Sequence, residues 1–159
     1  MNFKINLKNF MVIFLAGLAL SACSTTGKKS GKMQGDVYSG SDTVDYLATG
    51  VRDRVFFGTN KTTLTTASRD VLRKQAAYMR KKGKLSFAIE GHADERGTRE
   101  YNLALGERRA NAVKDYLMTY GISGKRLSVI SYGKERPVNS GSNPLAWSQN
   151  RRSVSIKAN

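Results

Sequence analysis

Between Thr65 and Tyr132 the spacing of apolar residues switches between the helical and the strand period three times, and few folds accept that pattern. Val71, Leu72, Ala76 and Met79 share one face of a helix that opens at Thr65 or Thr66 and runs to about Lys82. Gly83 stands at the position that commonly ends a helix. Leu85, Phe87 and Ile89 then alternate with Ser86, Ala88 and Glu90, the period of a strand with one apolar face. A polar loop from Gly91 to Thr98 leads to a second helix, roughly Tyr101 to Tyr120, stopped by Gly121. Leu127 to Tyr132 reads as another strand. Val55-Phe56-Phe57 precedes the first helix as a short strand, closed by Gly58 and Asn60. Pro144 suits the first turn of a short helix containing Trp147, and Ser153 to Lys157 is the last strand. The order β-α-β-α-β-(short α)-β predicts an α+β two-layer sandwich, with two long helices on one face of a four-stranded sheet.

The 159 residues suffice for one domain and a little more. Residues 1–22 read as an export signal: Lys4 and Lys8 come first, an apolar stretch runs from Phe10 to Leu20, and no acidic residue appears before Asp36. The apolar stretch is too short to span a membrane, which takes about 20 residues. Leu20-Ser21-Ala22-Cys23 resembles a bacterial lipobox, and the chain's single cysteine occupies the lipid-accepting position. The resemblance implies that Cys23 becomes the mature N-terminus, carrying an S-diacylglycerol and an N-acyl chain. Ser24 in place of Asp after that cysteine favours the outer membrane. Residues 24–50 hold 13 Gly, Ser or Thr among 27 and show no apolar period. Residues 23–50 are therefore expected to be a lipidated start and flexible tether, and residues 51–159 the folded domain.

The domain carries most of the charge, with 22 Lys and Arg against nine Asp and Glu in residues 51–159, a formal +13. One residue of that excess lies in the wrong place. Leu105, Ala112, Val113, Tyr116, Leu117 and Tyr120 form the apolar arc of the second helix, and Arg109 falls inside it, with Arg108 toward the edge. A guanidinium on a core-facing stripe must be paired or reach a cleft, because burying an unpaired charge costs several kcal/mol. Two readings stand side by side. In one, Arg109 pairs with Asp94 or Glu90 and fastens helix to sheet. In the other, Asp94 holds a ligand's ammonium while Arg109 takes its carboxylate, a site for a zwitterion.

The run Glu90-Gly-His-Ala-Asp-Glu-Arg-Gly-Thr98, then Glu100-Tyr-Asn102, then Leu105-Gly-Glu-Arg-Arg-Ala-Asn-Ala-Val113 resembles the peptidoglycan-associated lipoproteins and, more broadly, OmpA-like C-terminal domains. Ser131-Tyr-Gly-Lys-Glu-Arg-Pro137 and Asn150-Arg-Arg152 fit the same pattern. The resemblance implies a non-enzymatic periplasmic domain that binds the peptide stem of peptidoglycan, whose diaminopimelate carries both an ammonium and a carboxylate. It puts the ligand pair on Asp94 and Arg109, with polar contacts from Asn102, Thr98 and Arg152. It also implies a place in the Tol-Pal system, with TolB as a competing partner and a role in envelope integrity and cell division. One departure stands out: the family commonly shows Phe-Asp-x-Asp after the first strand, where this chain has Phe57-Gly58-Thr59-Asn60. Two rim carboxylates are missing, although Asn60 can still hydrogen-bond and backbone N–H groups there can still hold a carboxylate.

Other functions are disfavoured by the same residues. Glu90, Asp94 and Glu95 cluster as a cell-wall hydrolase would require, but Glu90 lies on a strand opposite the apolar face and Arg96, Arg99 and Arg109 crowd the loop, and cationic neighbours are the wrong surroundings for a general acid. His92 with Asp94 lacks a third ligand, so neither a metal nor a cofactor is expected. Arg80-Lys81-Lys82 and Lys84 could form a nucleic-acid patch, yet a charge run at a helix end is more often a solvated cap, and an export signal leads away from DNA. The alternative that stays open is a basic domain acting mainly through protein partners or by non-specific attraction to anionic polymer.

Overall fold

The computed structural model describes residues 31–158. Two small hairpins come first: β1 (Met33–Gln34) with β2 (Val37–Tyr38), and β3 (Tyr46–Ala48) with β4 (Val51–Arg52). The main elements follow as β5 (Arg54–Phe56), α1 (Thr66–Lys81), β6 (Ser86–His92), α2 (Arg99–Thr119), β7 (Leu127–Gly133), α3 (Pro144–Asn150) and β8 (Arg152–Ala158). The last four strands to form a sheet lie in the order β5-β8-β6-β7. β6 and β7 are parallel, and β8 runs antiparallel to both β6 and β5. Leu72, Ala76 and Met79 of α1 and Val113 and Leu117 of α2 join Val55, Phe57, Phe87 and Ile89 in one buried cluster. Both long helices therefore cover one face of the sheet, and the expected α+β sandwich is the observed fold.

Local chemistry explains the element ends. The Thr65 hydroxyl accepts from Ser68 N at 3.1 Å and opens α1, and the Thr98 hydroxyl accepts from Tyr101 N at 3.2 Å and opens α2. Asn143 caps α3 ahead of Pro144. Gly121 closes α2 with φ +81°, a left-handed turn that favours glycine. Gly83 follows α1 but takes no left-handed turn there. The end of α1 is closed instead by Arg126, which donates to the carbonyls of Met79, Lys82 and Leu85 at 2.8–2.9 Å.

The tether expectation needs correction for residues 31–50. Tyr38 is buried and packs edge-on against Phe56, ring centroids 4.7 Å apart, and Leu47 lies in the core. Asp45 accepts from the Arg54 guanidinium at 3.1 Å, and Asp42 accepts from Gln149 at 3.2 Å. Strands of two or three residues are too short to carry a period, so docking by isolated side chains left no pattern to read. The export signal, Cys23 and residues 24–30 lie outside the described residues.

Helix α2 comes unusually close to β6. A Cβ on Gly91 would lie 1.8 Å from the Gly106 carbonyl oxygen, and one on Gly106 would lie 2.8 Å from the Gly91 oxygen. Backbone meets backbone there, and this contact sets the height of α2 over the strand. Gly91→Ala is expected to cost about 3 kcal/mol or more of stability in urea unfolding. Gly83→Ala, whose added Cβ meets nothing nearer than 3.9 Å, is expected to stay within about 0.5 kcal/mol of the parent.

Candidate functional site

The loops that follow β5 and β6, the first half of α2 and the residue before β8 meet at one end of the sheet. After β5 the chain turns through Gly58 to Lys61, with Lys61 N donating to Gly58 O at 3.1 Å and Asn60 left-handed at φ +53°. Asn60 and Thr98 are both exposed, on neighbouring rims of this end, and Thr98 is occupied as the cap of α2. Asn102 is buried and donates to Arg96 O at 2.9 Å, so it pins the loop that carries Asp94.

Arg109 is fully buried. It pairs with neither Asp94 nor Glu90, so the expected helix-to-sheet ion pair is absent among the described residues. Its Nε donates to Lys61 O at 3.0 Å, and its two terminal nitrogens donate to His92 O at 2.7 Å and Gly58 O at 3.1 Å. The guanidinium also lies 5.3 Å from the Phe57 ring centroid. Burial, and then the charge of Arg151, push its pKa down to about 10, while Asp94 pulls the other way; it stays protonated at neutral pH. Three of its five N–H groups are committed to carbonyls, which leaves two.

Asp94 has other partners. Arg96 reaches it at 2.7 Å through a terminal nitrogen and at 3.1 Å through Nε, the Arg96 backbone N–H adds a bond at 3.1 Å, and Arg151 lies at 3.2 Å. Burial by itself raises the Asp94 pKa, but the Arg96 and Arg151 hydrogen bonds outweigh it and hold the carboxyl below its ordinary value. Arg96 is 42% exposed in its side chain, whereas Arg151 is buried.

The resemblance to related domains pointed to Arg152, but the structure brings Arg151 to Asp94 instead. Arg151 also donates to Phe57 O at 3.1 Å and to the Asp36 carbonyl. Arg152 turns away, donating to Asn150 O at 3.3 Å and Arg136 O at 3.1 Å, and burial followed by Arg54 pushes its pKa down to about 10. Arg151 is the cap residue that ends α3 and Arg152 is the first residue of β8, so the chain changes conformation between them. Trp147 joins the rim as well: its Nε1 donates to Glu95 at 2.8 Å, and Arg96 lies 4.3 Å over its ring. The Trp147 and then the Ser142 hydrogen bonds lower the Glu95 pKa. Among the described residues no three His, Cys, Asp or Glu groups are placed to hold a metal ion.

Comparison with known proteins fits this architecture. Residues 56–151 match the OmpA family. The chain is 51% identical over 106 residues to the peptidoglycan-associated lipoprotein of Rhizobium meliloti (strain 1021), covering 67% of this chain and 60% of that protein. It is 40% identical over 150 residues to the protein of the same name in Mesorhizobium japonicum, covering 91% of this chain and 88% of that one. The crystal structure of the peptidoglycan-associated lipoprotein from Burkholderia pseudomallei superposes with a TM-score of 0.65 at 35% identity, over 67% of this chain and 90% of that one. The chain belongs to the OmpA family and, within it, to the peptidoglycan-associated lipoproteins, a non-enzymatic group.

Two measurements probe the site's foundations. Arg109→Ala strands three carbonyls and is expected to cost at least about 3 kcal/mol in urea unfolding, with Arg109→Lys recovering part of the loss. His92 is buried, neither ring nitrogen has a hydrogen-bond partner among the described residues, and Glu90 is 3.5 Å away, too far for a good bond. Burial, then Arg152, Arg54 and Arg136, push its pKa down from 6.5 to about 3. The unfolded chain therefore takes up a proton that the folded one refuses. Stability is full above about pH 6.5 and falls as pH drops toward 3, by up to about 1.4 kcal/mol per unit. Urea titrations between pH 6.5 and 5 are expected to show this slope, and His92→Gln is expected to flatten it.

Proposed function

We propose that this domain binds the stem peptide of peptidoglycan and links the outer membrane to the cell wall without a covalent bond. The observation that carries the reading is the electrostatic layout at the strand ends: one ionised carboxylate, Asp94, backed by the buried guanidinium groups of Arg109 and Arg151 and covered by a part-exposed Arg96. Such a layout suits a zwitterion, with Asp94 taking an ammonium and a guanidinium or backbone N–H taking a carboxylate. The diaminopimelate side chain has both groups. Asn102 and Thr98 serve by shaping the loop, Asn60 by its place on the rim, and Arg151 takes the role assigned by resemblance to Arg152. The names of the relatives support the wall-associated part of this reading.

Residues 1–22 are then the removed signal and Cys23 the lipid anchor, with the domain on the periplasmic side of the outer membrane. Only residues 24–30 separate Cys23 from the described chain, and fully extended they reach about 25 Å at most. Membership of the Tol-Pal system, TolB as a partner for an overlapping surface, and a contribution to envelope constriction at division belong to the same proposal.

A specific observation favours a second contribution. Lys81, Lys82, Lys84 and Lys157 surround a hollow beside Tyr78 at the opposite end of the sheet, and none is in an ion pair among the described residues. Co-sedimentation with purified sacculi separates the two. The parent chain is expected to pellet with diaminopimelate-type sacculi and much less with lysine-type sacculi, and Asp94→Ala is expected to lose at least about tenfold in that binding. Equal pelleting of both proteins on both walls, abolished by salt, would make charge alone the explanation.

A further inference from the structure

The rim that lacks its two family carboxylates is not empty of acid. Gly35-Asp36 forms the two-residue turn between β1 and β2, with Gln34 opposite Val37 and Gly35 left-handed at φ +66°. That turn carries Asp36 directly over the loop after β5. Its carboxylate accepts the Thr59 backbone N–H at 2.5 Å, and its carbonyl accepts from the Arg151 guanidinium. Gly58 makes the approach possible, because a Cβ there would lie 2.9 Å from Asp36 Oδ1. The Thr59 hydroxyl in turn accepts from Arg96 at 3.4 Å, and the same Arg96 and Arg151 hold Asp94. Asp36 is thus part of one charge network with the candidate binding acid, although 58 residues separate them in the chain.

We propose that the Asp36 carboxylate is an internal occupant of the carboxylate subsite: it fills the place a stem-peptide carboxylate takes at Thr59 N–H, within the field of the Arg151 charge, and it must leave when that peptide binds. This inference rests on the wall-binding reading. The physical case has three parts. A backbone N–H beside guanidinium groups is an anion site whatever carboxylate fills it. The Thr59 backbone bond is the largest cause of a lowered Asp36 pKa, with Arg151 contributing, so the side chain is ionised at neutral pH and is the right mimic. Asp36 is also exposed, so an incoming peptide can displace it without opening the core. A side chain at position 58, in contrast, would sit where Asp36 now lies; glycine there and Asp36 in the hairpin are complementary features of this chain.

The consequence is a reduced apparent affinity for the stem. A subsite occupied internally about 90% of the time costs about tenfold in apparent affinity. The test uses the full-length protein in detergent and the soluble tripeptide L-alanyl-D-isoglutamyl-meso-diaminopimelate. In calorimetry, Asp36→Ala is expected to bind the tripeptide about tenfold more tightly than the parent, and Asp36→Asn to fall between them. In amide exchange without tripeptide, Thr59 N–H is expected to be protected in the parent, to lose protection in Asp36→Ala, and to regain it when tripeptide is added. Unchanged Thr59 protection in Asp36→Ala overturns the contact. Lost protection with equal or weaker tripeptide binding overturns the mimicry and leaves Asp36 as a clasp. If neither protein binds the tripeptide, the wall-binding reading itself fails and takes this inference with it; parent binding with no gain in Asp36→Ala sinks the inference alone.

Discussion

A single buried guanidinium organises the end of the sheet where the site lies. Arg109 donates to carbonyls from the turn after β5 and from the last residue of β6, three acceptors on two segments far apart in the sequence. Left without a donor, each buried carbonyl would cost about 1–3 kcal/mol. The charge itself is costly to bury, and the lowered pKa records that cost. The arrangement is worth its expense only as a unit: carbonyl dipoles solvate the cation, and the cation fixes the loops. Because Arg109 is occupied in this way, Asp94 is free of it and is held by groups of different exposure, Arg96 at the surface and Arg151 inside.

Arg109 can reach those carbonyls because α2 sits low on the sheet. The Gly91 and Gly106 backbones touch without intervening side chains, so close that a Cβ at either position would clash with the other's carbonyl. Gly106 and Arg109 are three residues apart, so they share a helix face, and the close contact aims the guanidinium beyond the end of β6. The Asn102 bond to Arg96 O completes the placement from the helix's first turn. Packing between two glycines and the electrostatics of one arginine are therefore a single constraint seen at two points along α2.

The elements and the anomaly were legible in the sequence; the partners were not. The two helices and the strands follow from periods of 3.6 and 2, and Arg109 stands out because it breaks one of them. Its acceptors could not be read, since a backbone carbonyl has the same identity at every position and only the folded chain decides which ones converge. Arg151 and Arg152 differ by one step where α3 gives way to β8, and a one-residue error there exchanges a site residue for one that turns away. Trp147 and Glu95 meet across 52 positions with no local signal. The segment 31–50 resembled a tether because its composition is Gly-, Ser- and Thr-rich, yet Tyr38 and Leu47 suffice to dock it. A few large apolar side chains outweigh composition when a groove is already waiting for them.

The charge of the domain divides along the sheet, and the division bears on how it works. At the site end the arginines are internally engaged, with carbonyls or with Asp94, so they contribute little unscreened attraction. At the other end Arg126 already satisfies the last carbonyls of α1, which relieves the nearby lysines of any capping duty. Lys81, Lys82, Lys84 and Lys157 therefore remain as open charge at the start of β6, while Asp94 follows its end. The seven residues of β6 at about 3.3 Å each put roughly 23 Å between these poles. That is well beyond a Debye length of about 8 Å at physiological salt. Long-range attraction to an anionic surface and short-range selection of a zwitterion are thus carried by different ends of the molecule, and ionic strength acts on the first while leaving the buried contacts of the second nearly untouched.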